Sequence, residues 1–431
     1  MRATTRILAA LAIACSTTVA FAQDVTVISG GRVVPIVGEP IDDGVVVIRG
    51  AKIAFVGVAG SFDVPDGATV VDAAGRIVMP GLIDAFTHVG TREIGAVKVT
   101  RDDDEATSPM TPAVHTADAL NVSSSHFRVT RMNGTTTVLV APAPGNLISG
   151  RSCVIALDGE SVDAMLRLPH AALHASLGDP PKLRYGAKNQ APATRMGEMA
   201  MLRAAVTKAR EYVAKWARFE EQQRRSMEDG EEQPDPPSRD LDLEAWRPVL
   251  ARERPLIVRA QRLSDVQAAL RFAREFDVRI ALFGGAEAWK VADEIAAAGV
   301  PVLLGTVTTQ PSSHETLAAR MDAAQILEAA GVELVIVSAA AHNARRLPSL
   351  AGIAMSYGLS AEAALEALTI RPARVLGLAD RIGSLTVGKD ADVIILDGDV
   401  VQPRTRVTHM WIRGKRVVLT SRQTELAEKY K

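Results

Sequence analysis

From residue 135 to residue 376 the chain repeats one pattern, a short apolar run followed by a stretch with helical periodicity. Thr135-Thr136-Thr137-Val138-Leu139-Val140 opens it directly after Gly134. Leu256-Ile257-Val258-Arg259 and Arg279-Ile280-Ala281-Leu282-Phe283 flank a helix predicted from Ser264, as N-cap, to about Phe276. Val302-Leu303-Leu304 and Leu334-Val335-Ile336-Val337 follow, again divided by helices, and Gly358-Leu359-Ser360 caps a helix through Leu368. Strands buried on both faces read as unbroken apolar runs, and helices between them carry the chain back to start the next strand in parallel. This alternation is the signature of a parallel α/β barrel, which takes about 250 residues and leaves room for a smaller second unit.

The second unit is legible at the two ends. Val25-Thr26-Val27-Ile28, Gly44-Val45-Val46-Val47-Ile48-Arg49 and Ile53-Ala54-Phe55-Val56-Gly57 are β-branched runs separated by turn residues. At the other end, Gly388-Lys389-Asp390-Ala391-Asp392 leads into Val393-Ile394-Ile395-Leu396, and residues 407–418 form a hairpin turning at Arg413-Gly414-Lys415. Between the first group and the barrel stands Val78-Met79-Pro80-Gly81-Leu82-Ile83-Asp84-Ala85-Phe86-Thr87-His88. Here Asp84, Phe86 and His88 alternate, which predicts that all three project to one face of a strand.

Residues 1–22 read as a leader. Arg2 and Arg6 precede an apolar core at 7–14, and Ala20-Phe21-Ala22 forms a small-residue cleavage site, so export to the periplasm or secretion with cleavage after Ala22 is expected. Lipoprotein processing at Cys15 is the rival, with Leu11 one position too early for it. The chain has two cysteines, so removal of the leader leaves Cys153 without a partner for a disulfide within one subunit. A net charge of −1 and the lack of a basic patch argue against nucleic acid, and no other run is long enough to span a bilayer. Residues 195–227 have a long helical pattern that dissolves into Glu228-Asp229-Gly230-Glu231-Glu232-Gln233-Pro234-Asp235-Pro236-Pro237, which predicts a loop.

Several of these segments resemble the amidohydrolase superfamily, and among its members exported proteins of the imidazolonepropionase-like type. Pro80-Gly81-Leu82-Ile83-Asp84-Ala85-Phe86-Thr87-His88 is similar to the family's P-G-x-I-D-x-H-x-H, Gly388-Lys389-Asp390-Ala391-Asp392 to G-K-x-A-D, and Thr369-Ile370-Arg371-Pro372-Ala373-Arg374-Val375-Leu376-Gly377 to T-x-x-P-A-x-x-L-G. The resemblance implies a (β/α)8 TIM barrel at 77–385, a small composite β-sandwich from 23–76 and 386–431, and a helical, acidic insertion around 186–250. It also implies that Asn146-Leu147-Ile148-Ser149-Gly150 belongs to a segment over the barrel mouth.

In that family two histidines on strand one, a bridging acid or carboxylated lysine on strand four, histidines on strands five and six and an aspartate on strand eight hold the catalytic metal. The pattern here departs from it at nearly every position. Phe86 stands for the first histidine and His88 for the second, His174 for the bridging residue, Arg259 for the strand-five histidine, Gly284 for the strand-six histidine and Ala339 for the strand-eight aspartate. Arginine stays protonated and ligates no cation, so His88 and His174 remain as the metal-site remnants. No metal cofactor is expected; zinc is the ion if this reading fails. With the metal gone, Arg259 is expected to point into the mouth, to pair with Asp84 or Glu287, and to repel any incoming dication. Two functions stay open: a non-hydrolytic small-molecule-binding protein or partner subunit, in a homo-oligomer or beside an active relative, or a divergent hydrolase of a C–N bond. His126 and His342 are read as solvated.

Overall fold

The computed structural model describes residues 25–93, 97–305, 307, 308, 311 and 313–431, so the leader expected at 1–22, with Cys15, lies outside the described residues. Among those residues no helix is long and apolar enough to cross a membrane. The strands fall into two eight-stranded sheets. One runs in chain order through Leu82–Thr87, Thr135–Val140, Ile148–Ala156, Leu166–Ser176, Leu256–Ala260, Ile280–Gly284, Val302–Leu304 and Leu334–Ile336, here strands one to eight. It closes into a barrel where the chain after strand eight returns to strand one. There the Ala339 N–H donates to the Phe86 carbonyl (3.1 Å) and the His88 N–H to the Ala340 carbonyl (3.0 Å).

The apolar runs divide by parity, as strands with two buried faces require. Leu256 and Val258, Leu282, Val302 and Leu304, and Leu334 and Ile336 pack outward in the cluster shared with the helices. Ile257, Ala281 and Phe283, Leu303 and Val335 fill the interior. Strand one is less regular than its alternation predicts. Its pairing with strand two shifts register between Asp84 and Thr87, and Ile83, Ala85 and Phe86 all join the interior cluster. Asp84 therefore does not simply share a face with Phe86 and His88.

Strand three also departs from an all-parallel barrel, pairing antiparallel with both strand two and strand four. Seven residues, 141–147, separate it from strand two, and a parallel return needs a crossover of roughly a dozen or more. Ile148-Ser149-Gly150 is thus barrel wall rather than an inserted cover. The long helix is Arg195–Asp229, ending at Gly230 with φ +70°, and its Leu202, Val206 and Ala209 belong to the main core with Trp246 and Val249. Its first half is the crossover helix between strands four and five, and its exposed second half extends beyond. The helix before strand six is Leu263–Phe276 with Arg262 at the N-cap, two residues earlier than Ser264 suggested.

The terminal strands join as expected, hydrogen-bonded as one continuous sheet. Ile77–Pro80 bridges its two ends, pairing with Arg32-Val33 on one side and with Val393–Leu396 on the other. The joint between the two units is therefore Gly81, four residues later than the sequence boundary. A Cβ at Gly81 would lie 2.3 Å from Thr136, so only glycine passes there. Across this joint Arg167 of strand four, buried, binds Asp390 (3.1 Å) and both carboxylate oxygens of Asp392 (2.7 and 2.6 Å).

Candidate functional site at the barrel mouth

Strand one ends in Phe86 and Thr87, with His88 directly after it, at the mouth beside the seam. Phe86 is 1% exposed and lies face to face with Phe283 of strand six, ring centroids 3.6 Å apart and planes 6° from parallel. The edges of two imidazoles meet it, His88 at 5.7 Å and His174 of strand four at 5.6 Å. The mouth of this barrel thus holds an aromatic pair flanked by the two histidines.

Each histidine is held neutral. His88 Nδ1 lies 2.9 Å from the Ala141 carbonyl and 3.4 Å from the Asp103 carboxylate, which Arg92 also binds at 2.5 Å. Burial lowers the His88 pKa, with Asp103 opposing. Burial pushes His174 down to about 3, with neighbouring His88 adding to the effect, and its Nε2 has no hydrogen-bond partner. Asp84 is fully buried and accepts from the backbone N–H groups of Phe86 (3.4 Å) and Ser338 (3.1 Å). Desolvation raises it to about 7, against those hydrogen bonds.

Arg259 does not pair with Asp84 or Glu287. Its guanidinium binds the buried carboxylate of Glu315 (2.6 Å) and the Leu177 carbonyl (3.2 Å). One Asp84 oxygen takes backbone donors while Oδ2 has no partner, and Glu287 takes the Leu263 N–H (2.7 Å) and Lys290 (2.7 Å), satisfying the first turn of the helix Leu263–Phe276. Glu315 also accepts the Asp179 N–H (2.8 Å), with Arg195 at 3.8 Å. Because Glu315 neutralises Arg259, the expected repulsion of a dication is largely cancelled, and donor chemistry has to decide whether a metal fits. Truncation of Arg259 to alanine leaves Glu315 buried with only the more distant Arg195, and is expected to cost about 3 kcal/mol in urea unfolding.

The remaining positions offer no ligands. Gly284 has φ +97°, and a Cβ there would come 2.5 Å from Gln261 Nε2, whose own Oε1 accepts the Ala286 N–H (3.0 Å). A histidine cannot be restored at 284 without strain and displacement of Gln261. Ala339 has φ +51° and serves the seam through its N–H. Among the described residues no group of three or more His, Cys, Asp or Glu side chains is arranged to hold a metal ion. The family's metal centre asks for several converging imidazoles and carboxylates. His88 has one nitrogen engaged and Phe86 borders both rings, so the unpartnered donors are His174 Nε2 and Asp84 Oδ2, too few for such a centre. The residues present do not fit the group.

Sequence reasoning missed Phe283, Glu315, Asp103 and His126. Phe283 has the same parity as Ala281 and Ile257-aligned interior positions, a signal that was available. Nothing in Ser313-His314-Glu315 marks the glutamate as a buried partner for strand five. His126, expected to be solvated, is 1% exposed.

Comparison with known proteins places these observations. The sequence model described as Amidohydrolase family matches residues 269–417. The crystal structure of an amidohydrolase from Thermotoga maritima superposes with a TM-score of 0.83 at 30% identity, covering 91% of this chain and 99% of that one. "Amidohydrolase tasK" of Hapsidospora irregularis is 27% identical over 372 residues, 82% of this chain. "Adenine deaminase 2" of Jannaschia sp. is 37% identical over 76 residues, 18% of this chain. The chain spans only 37% and 11% of the lengths of those two relatives.

Proposed function

The chain belongs to the amidohydrolase family, and from that premise we propose that it is a non-hydrolytic member whose barrel has exchanged its metal centre for packing. The carrying observation is the Phe86–Phe283 stack set between His88 and His174. An apolar pair there supplies neither a ligand nor a path for water to a metal, and activation of a metal-bound water is what hydrolysis of an amide by this family's chemistry needs. Fold alone carries no activity, because function lives in the side chains of the site.

Of the two non-hydrolytic roles, partner subunit is favoured over small-molecule receptor. Among the described residues Phe86, His88, His174 and Asp84 are all buried, which leaves these side chains little surface to offer a small molecule. The protein then acts through its surface, beside a second copy or an active relative. An exported location, following the leader read at 1–22, belongs to the same proposal.

The test is an assay of the purified protein on amide, lactam and dipeptide substrates, with and without added zinc. Rates indistinguishable from a buffer blank are expected, with His174→Leu leaving any bound zinc unchanged. Zinc-dependent turnover that disappears in His174→Leu would establish the rival reading, a divergent hydrolase of a C–N bond, which the names of the relatives favour.

A further inference from the structure

The barrel seam carries a second pair of imidazoles, outside the mouth. His126 sits in the first turn of the helix Ser125–Arg131, which follows strand one. His342 begins the turn His342–Arg346, which follows strand eight. Their ring centroids are 5.7 Å apart with planes at 55°. One ring nitrogen of buried His126 lies beside the Arg92 carbonyl, while the other, like Nδ1 of partly exposed His342, has no hydrogen-bond partner. Buried imidazole nitrogens without partners are costly, because their desolvation goes uncompensated. A ligand that satisfies them is therefore worth seeking.

We propose that His126 and His342 together bind one divalent transition-metal ion of the zinc class, water completing the coordination. A Zn–N distance of about 2.0–2.1 Å and tetrahedral geometry put two imidazole centroids on one ion roughly 5 Å apart. The observed 5.7 Å lies within an adjustment of the side-chain torsions. The electrostatics suit the neutral ligand form, since burial lowers both histidines from their ordinary value. The Arg92 carbonyl beside the His126 ring favours a proton on one nitrogen, leaving the lone pair of the other for the ion. Glu93 adds negative charge near His126 but is not a ligand, because Asn121 (2.9 Å) and Ser124 (3.2 Å) hold its two oxygens. Arg345 opposes with positive charge on the His342 side.

The ion would tie the helix after strand one to the turn after strand eight. Those are the two elements flanking the seam closed by the Ala339–Phe86 and His88–Ala340 backbone hydrogen bonds. Two imidazoles and no carboxylate select for ions that favour nitrogen, so zinc, nickel and copper bind while magnesium and calcium do not.

The experiment titrates zinc chloride into the full chain after chelator treatment and dialysis, by calorimetry. One zinc per chain is expected. Binding should weaken more than tenfold in His342→Ala, whose partly exposed position spares the fold, and stay unchanged in His174→Leu. Absence of saturable zinc binding, or equal binding by His342→Ala, overturns the proposal. A second readout is the copper(II) electron paramagnetic resonance spectrum, where two coordinated nitrogens are expected and a single one refutes the pair. Because His174→Leu addresses the mouth and His342→Ala the seam, failure here leaves the non-hydrolytic reading standing, and the reverse also holds.

Discussion

Arg167→Ala is expected to lower the unfolding free energy by about 3–5 kcal/mol, as removal of one partner from a buried ion network does. The size follows from what stays behind. The Arg167 side chain is 1% exposed and sits between Asp390, at 3.1 Å, and Asp392, which it grips with one nitrogen on both oxygens. Asp390 retains Lys52 (2.8 Å) and Arg381 (3.1 Å), so its charge stays compensated. Asp392 retains only the Arg413 backbone N–H at 2.9 Å, and becomes a buried carboxylate without a cation. The same residues fasten the terminal sheet to strand four, so the loss should appear in urea unfolding as a lower midpoint. Arg381→Ala, whose guanidinium is half-exposed, should cost under about 1 kcal/mol by comparison. Equal effects of the two substitutions would show that the staple is not what joins the units.

That staple shows where the sequence was readable and where it stopped. The Gly388-Lys389-Asp390-Ala391-Asp392 run was recognisable as a pattern, and its neighbourhood was correctly assigned to a terminal sheet. Its partner was not, because Arg167 lies 225 residues from Asp392 and no local rule ties the two. The alternation of apolar runs with helical stretches was enough to read the barrel, whereas Phe86 and Arg259 were set at its mouth by resemblance and not by periodicity. Strand direction failed at Ile148–Ala156, where connection length rather than composition sets the turn. That positions 86, 259, 284 and 339 carry Phe, Arg, Gly and Ala was legible residue by residue. Which carboxylate compensates Arg259 was not, since Glu315 arrives on a separate loop with its own capping box at Ser313 and Thr316. Polar pairing between distant segments depends on backbone placement within a few tenths of an ångström, and periodicity carries no such information.

Asp84 and His174 should give the protein two opposed pH dependences, separable by substitution. Asp84 ionises at an ordinary 3.8 when unfolded and at about 7 when folded. Between those values the folded state holds one proton more than the unfolded state, so this residue makes stability fall as pH rises. His174 takes up a proton at 6.5 when unfolded and only at about 3 when folded. Across that window the unfolded state holds one proton more, so this residue makes stability rise with pH. Each slope is about 1.4 kcal/mol per pH unit, and from pH 4 to 6.5 they cancel. Asp84→Asn keeps an Oδ1 for the Phe86 and Ser338 N–H groups and removes the falling limb alone. Relative to wild type it should therefore gain stability steadily from pH 4 to 7, with the gain constant above. His174→Leu removes the rising limb, so its stability relative to wild type should be greatest near pH 3 and decline to a constant by pH 6.5. Urea unfolding at half-unit steps from pH 3.5 to 8 measures both difference curves. If the two run parallel, or if His174→Leu matches wild type throughout, His174 is not the buried neutral imidazole that the aromatic mouth requires.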